Sequence, residues 1–184
     1  MKSQKYGKWQ MTKWGRCDGM FVKKGEVLFR QGEEGPLYHI KSGLFKVVRM
    51  QEDGHVFLFN IILPGEMIPH HSLISQKEYH GTVIALIDSE VEVISPTEWY
   101  KELHENPQKF EEVSIQLQQK LRMMQKRIDQ LTTVSPMERL LLLEDWLEGY
   151  LPGLSIYSIL SQSEIGQLIG LRRETINRLL KKKS

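Results

Sequence analysis

The sequence predicts an α+β fold in three parts: an N-terminal β-roll, one long helix and a C-terminal helix-turn-helix. Three observations predict it. Short apolar runs alternate with glycine turns from Gly19 to about Ser95, and the apolar period becomes helical after Pro96. Beyond Leu160, two amphipathic segments are joined by a glycine. The expected division is residues 1–106 for the roll, 107–133 for the long helix and 134–184 for the helix-turn-helix.

The strand candidates are Met20 to Val22, Val27 to Phe29, Leu37 to Ile40, Leu44 to Met50, Val56 to Ile62, Thr82 to Ile87 and Glu90 to Ile94. Gly25, Gly32, Gly35, Gly43, Gly54 and Gly65 separate them, with Pro36 and Pro64 beside two of the turns. Strands this short and this evenly spaced favour a small barrel or double-sheet roll over a βαβ fold.

Ser95-Pro96-Thr97-Glu98 starts a short helix that ends near His104. Pro107 opens the longest helix, which runs to about Thr132. Its apolar positions are Phe110, Leu117, Leu121, Met124, Ile128 and Leu131, spaced by four and three from Leu117 onward. That is a heptad seam, and the residues around it are strongly polar. So narrow a stripe suits pairing with a second copy of the helix better than packing on a broad core. Ser135-Pro136-Met137-Glu138 begins a further helix to about Gly149, and a connection follows with one short strand expected at Ile156 to Ile159.

In the last segment, Ser161 and Glu164 have the spacing of a capping box that starts a short helix. Gly166 sits in mid-helix at a cost of about 1 kcal/mol against alanine, which implies close approach of another backbone. Gly170 supplies the positive φ of a tight turn. The next helix buries Ile176, Leu179 and Leu180 and turns Arg173, Glu174, Asn177 and Arg178 outward on one side. Those side chains suit base edges in a major groove: arginine for guanine, asparagine for adenine, glutamate for a cytosine amino group. Lys181, Lys182 and Lys183 suit phosphates, which add affinity without sequence preference.

These motifs resemble those of the cyclic-AMP receptor protein/FNR family of bacterial regulators. The stretch Ser163 to Gly170 followed by Arg173-Glu174-Thr175-Ile176-Asn177-Arg178 is similar to that family's DNA-reading segment. Gly25 to Phe29, Gly32-Glu33, Leu37 to Ile40 and Gly43 resemble its cyclic-nucleotide-binding roll, and the long helix resembles its dimer helix. The resemblance implies a sensor roll, a homodimer through Leu117, Leu121, Met124, Ile128 and Leu131, and operator DNA of inverted-repeat form. Arg173, Glu174 and Arg178 would contact bases, Asn177 would tune preference, and RNA polymerase is a further implied partner.

The family's ligand pattern is only half present. Pro64-Gly65-Glu66 resembles its Gly-Glu pair, but the Arg-Ser pair for the cyclic phosphate falls near Tyr79-His80-Gly81-Thr82, where no arginine stands. The effector pocket implied is therefore Gly65, Glu66, Tyr79, His80 and Thr82, holding an effector other than cyclic AMP, or none, with Lys77 as a substitute cation. The family also continues past its recognition helix into a wing, whereas this sequence stops at Ser184, and Arg172 stands where serine or threonine would cap. A helix-turn-helix lacking the wing is the expectation. A dimeric ligand-binding or interaction module without effective DNA binding is the alternative.

Composition narrows the remaining classes. A chain of 184 residues with 40% hydrophobic and 26% charged residues is that of a globular protein of one or two domains. Its longest apolar strings, Leu140 to Leu143 and Phe57 to Leu63, fall short of the ~18 residues of a membrane span. The first residues, Met1 to Gly7, lack the apolar centre of a secretory signal. Cytoplasmic residence without membrane contact is expected. The net charge is +2, with basic residues crowded at Lys2, Lys5, Lys8, Lys13 and Arg16 and again from Arg172 onward.

No cofactor is expected. Cys17 is the one cysteine, too few for a disulfide or an iron–sulfur cluster. His70, His71 and His80 sit close in sequence, but His70 and His71, read as strand neighbours, would face opposite ways and not chelate together. No nucleophile–base pair or phosphate loop points to an enzyme.

Overall fold

The computed structural model describes residues 19–183; the basic stretch from Lys2 to Arg16, Cys17 and Ser184 lie outside them. Eight strands form the roll: β1 (Gly19–Val22), β2 (Val27–Phe29), β3 (Leu37–Ser42), β4 (Phe45–Met50), β5 (Val56–Ile62), β6 (Met67–Ile68), β7 (Thr82–Ala85) and β8 (Ser89–Ile94). They make two antiparallel four-stranded sheets, ordered β1-β8-β3-β6 and β2-β7-β4-β5. Alternation along each strand sends one set of side chains between the sheets, where Phe29, Ile40, Phe45, Ile62, Val83 and Val91 are buried.

Two local features differ from the sequence reading. Met67 and Ile68 form a strand that the pattern does not announce, because two residues are too few to show a period. His70 and His71 lie in a 3-10 turn, His70–Ser72, and are not on a strand. They still diverge: His70 Nε2 lies 3.1 Å from Glu66 Oε2, and His71 Nε2 hydrogen-bonds to the Glu78 carbonyl over 2.9 Å.

Six helices follow: α1 (Pro96–Glu105), α2 (Pro107–Thr132), α3 (Pro136–Glu148), α4 (Ile156–Ile159), α5 (Gln162–Ile169) and α6 (Arg173–Lys183). Pro96, Pro107 and Pro136 each stand in a first turn, where a missing N–H costs nothing. Asn106 caps α2 by accepting from the Gln108 and Lys109 N–H groups. The strand expected at Ile156 to Ile159 is one turn of helix, α4. Ser155 accepts from the Tyr157 N–H and nucleates it, and burial of Ile156 in the core holds it there.

The roll fixes where α2 begins. Trp99 of α1 is 1% exposed and donates its indole N–H to the Leu73 carbonyl over 2.9 Å. It packs with Leu37, Met67, Leu73, Leu103 and Val113. The ammonium of the buried Lys109 sits 4.4 Å from the Trp99 ring centroid and bonds Glu102. Beyond this joint α2 leaves the core. Leu121, Met124 and Ile128 are 58%, 50% and 59% exposed, so the middle of the seam is uncovered within a single chain, while Leu117 and Leu131 are half-buried.

The third core is shared between roll and C-terminal helices. Leu44, Leu58, Ile61, Leu63 and Leu86 of the roll pack with Leu140, Leu147, Ile165, Leu168 and Ile176. Burial at ~25 cal/mol per Å² makes such a junction strongly favourable, and it sets the helix-turn-helix on the outer face of the β4–β5 sheet.

Candidate functional site

The glycines of the last two helices fit the backbone as their positions imply. A Cβ added at Gly166 would stand 2.4 Å from the Leu171 carbonyl oxygen, so only glycine lets the turn close on α5. The Leu171 N–H in turn donates to the Gly166 carbonyl over 2.8 Å. Gly170 has φ 67° and caps α5 in the left-handed region. At the other end the capping box is complete. Ser161 Oγ accepts from the Glu164 N–H, and the Ser161 N–H donates to Glu164 Oε2 over 2.9 Å.

Helix α6 buries Ile176 and leaves Arg173, Glu174, Asn177 and Arg178 exposed on its outer side. Arg178 Nη2 lies 3.4 Å from Thr175 Oγ1, a weak tether to its own helix. Arg172, exposed, starts the helix through its carbonyl, which accepts from the Thr175 and Ile176 N–H groups. Lys181 and Lys182 are exposed, whereas Lys183 bonds Glu144 of α3.

The inner side of α5 is committed to the roll. Lys46 Nζ of β4 donates to Glu164 Oε1 over 2.6 Å, and Gln167 Oε1 accepts from the Leu58 N–H of β5 over 2.7 Å. Burial acts to raise the Glu164 carboxyl, but Lys46 and the Ser161 N–H and hydroxyl outweigh it and hold it below its ordinary value. Sequence reading missed Lys46 and Gln167, since nothing local joins residues more than a hundred positions apart.

The five residues implied for an effector pocket have different partners in the structure. Gly65 turns the chain between β5 and β6 with φ 85°. Glu66 faces α2, where Lys120 Nζ donates to both its oxygens over 2.8 and 2.7 Å, and His70 completes the cluster. Burial would raise the Glu66 carboxyl, yet His70 and Lys120 hold it below its usual range. Thr82 Oγ1 accepts from the Gln31 N–H over 3.1 Å.

Tyr79 and His80 line a cleft of about 570 Å³ that Gln31, Arg49 and Lys77 also line. The Tyr79 hydroxyl donates to the Pro36 carbonyl over 2.7 Å, and burial raises its pKa. His80 stacks on His71 with centroids 3.9 Å apart, and burial lowers the His71 pKa. An arginine therefore does stand beside the 79–82 segment, but it comes from β4. The alternation Phe45, Val47, Arg49 was the available signal, an arginine at an inward strand position. Among the described residues no cluster of three or more His, Cys, Asp or Glu is placed to hold a metal, and no helix is long and apolar enough to cross a membrane.

Two family models match. The cyclic nucleotide-binding domain model covers residues 20–106, and the model of bacterial regulatory proteins of the crp family covers residues 159–182. No curated protein matches the chain in sequence. Among solved structures, FixK2 from Bradyrhizobium japonicum is 20% identical over 91% of this chain and 84% of that one, with a TM-score of 0.74. The c-di-GMP-responsive global regulator CLP from Xanthomonas campestris is 20% identical over 91% and 86%, with a TM-score of 0.70. A CRP-family transcriptional regulator from Thermus thermophilus, TTHB099, is 23% identical over 89% and 83%, with a TM-score of 0.70. These likenesses establish the fold, and the two family models cover the roll and the helix-turn-helix in the order that fold requires. The chain belongs to the CRP/FNR family of transcription regulators.

Proposed function

We propose that this protein is a dimeric, sequence-specific DNA-binding regulator of bacterial type that reads an inverted-repeat operator in the cytoplasm. One observation carries the reading: α6 turns Arg173, Glu174, Asn177 and Arg178 to solvent on one side while Ile176 is fully buried on the other. A helix mounted this way can enter a major groove without rearranging its own core. Lys181 and Lys182 contact phosphates in this reading. The seam of Leu117, Leu121, Met124, Ile128 and Leu131, exposed at its three middle positions, is the dimer interface in this reading. Residues 1–106 serve as sensor, 107–133 as dimer helix and 134–184 as reading head, with RNA polymerase as a further partner. In this reading the effector is not cyclic AMP: Glu66 is engaged by Lys120 and His70, and the arginine beside residues 79 to 82 is Arg49 of β4 and not the family's Arg-Ser pair.

Selection of bound sequences from a random DNA pool, repeated at two salt concentrations, tests this. A recovered palindrome is expected. Arg178→Ala should lose about 1–3 kcal/mol on that site and relax base preference, whereas Lys182→Ala weakens all sequences alike. No enrichment, with no salt-sensitive DNA binding by an intact dimer, would leave the chain a ligand-binding or interaction module.

A further inference from the structure

Three stretches remote in sequence meet around the cleft that Tyr79 and His80 line. Gln31 and Glu34 come from the β2–β3 connection, Arg49 from the end of β4, and Lys77 from the segment before β7. Main-chain bonds tie the walls together. The Gly32 N–H donates to the Tyr79 carbonyl over 2.9 Å, and the Tyr79 N–H donates to the Glu33 carbonyl over 2.8 Å. The Gln31 side chain donates to the Met50 carbonyl over 3.1 Å and accepts from the Met50 N–H over 2.9 Å, which closes the third side onto β4. A cleft built this way is pre-organised and needs little ordering on binding.

Arg49 is the group in this cleft whose bonding is unfinished. Its Nε is buried and has no hydrogen-bond partner among the described residues. The guanidinium lies over the Phe59 ring, 5.3 Å from its centroid, which orients it without satisfying an N–H. Buried donors in folded proteins are nearly always paired, so the unpaired Nε leaves the guanidinium of this cleft-lining residue with bonding capacity to spare. A guanidinium offers parallel N–H groups in a fork that matches the oxygens of a carboxylate or phosphate. Gly81 brings the neighbouring backbone against the arginine stem: a Cβ there would meet Val47 Cγ1 at 2.8 Å and Arg49 Cγ at 3.2 Å. Lys77 and His80 stand on the same walls, and so do Glu34 and Glu78. Two carboxylates oppose a bare anion but accept hydrogen bonds from a ligand that also carries donors.

We propose that this cleft binds a small metabolite bearing both an oxyanion and hydroxyl donors, with Arg49 as the residue that holds the anion. The proposal rests on the reading of the roll as a sensor and supplies the ligand class that the reading lacks.

Calorimetric titration of the full chain, without DNA and at constant ionic strength, tests it with ribose 5-phosphate, gluconate and inorganic phosphate. One saturable site is expected for ribose 5-phosphate or gluconate, and which of the two binds separates phosphate esters from carboxylates. Inorganic phosphate should bind at least tenfold more weakly. Arg49→Gln should weaken the organic probe at least tenfold, and Arg49→Lys, which keeps the charge and loses the fork, by a smaller factor. Absence of saturable binding by both organic probes would overturn the proposal. Binding unchanged in both variants would overturn it equally. DNA is absent from the titration, so its outcome is separate from that of the operator selection.

Discussion

Lys46 of the roll donates to Glu164 of the helix-turn-helix over 2.6 Å, across 118 positions of sequence. Glu164 is thereby shared. One oxygen receives Lys46 and the other closes the capping box with Ser161, so a single carboxylate starts α5 and ties it to β4. Each partner side chain is 22% exposed, which shields the pair from solvent more than an ordinary surface ion pair.

Replacing Lys46 with methionine should therefore lower stability by about 1 kcal/mol, the upper range for partly exposed pairs. The loss should be local. Hydrogen exchange of the α5 amides should speed up while that of the inner strands of the roll stays as it was. Unaltered exchange in α5 would mean that the shared apolar core alone holds the two parts together.

The same pair gives a pH dependence of known sign. The Glu164 carboxyl is held below its ordinary value of 4.5, so its contribution is full above that value. It is lost as pH falls through the lowered value. Unfolding midpoints followed from pH 6 to pH 3 should drop more steeply for the native chain than for Glu164→Gln. Parallel curves would refute the assignment.

Gly166→Ala sets two effects against each other. Alanine gains about 1 kcal/mol of helix propensity. The added methyl, 2.4 Å from the Leu171 carbonyl, costs about 3 kcal/mol by overpacking against backbone that cannot yield. The second effect wins, and the variant should lose about 2 kcal/mol. A stability gain in chemical denaturation would show that the turn is looser than this geometry.

At the other joint, Lys120→Met leaves the Glu66 carboxylate half-paired beside His70 and should cost about 3 kcal/mol, as when a buried ion pair is broken. Replacing both residues by methionine removes the stranded charge. The double variant should be more stable than Lys120→Met alone, and additive losses in a double-mutant cycle would contradict the coupling.

The seam of α2 makes a last prediction. Leu121 is 58% exposed and flanked along its stripe by Leu117 and Met124, so Leu121→Glu puts a carboxylate into each half of a paired helix. Light scattering should report a dimer for the native chain and a monomer for the variant at micromolar concentration. A monomeric native chain would remove the interface from α2.

Much of this molecule was readable in advance because it is local. The capping box of Ser161 and Glu164, the close approach at Gly166 and the left-handed Gly170 depend on residues within ten positions of one another. The first-turn prolines and the strands of the roll are equally local. The strand expected at Ile156 to Ile159 failed for the converse reason: four apolar-rich residues have no decisive period, and the burial of Ile156 chose the helix.

The effector residues were grouped by resemblance to a family pattern, which names no long-range partner for any of them. Glu66 turned to Lys120 on α2, while Tyr79 and His80 joined Arg49 from β4. The sequence alone determined the order of the longer elements, the turn chemistry and the face that α6 presents, since each follows from backbone conformation and spacing. Only the tertiary structure decided what those faces meet: α5 on β4 and β5, Glu66 on Lys120, Arg49 on an open cleft. Long-range pairing arises from how sheets curl and helices pack, and no short stretch of chain encodes it.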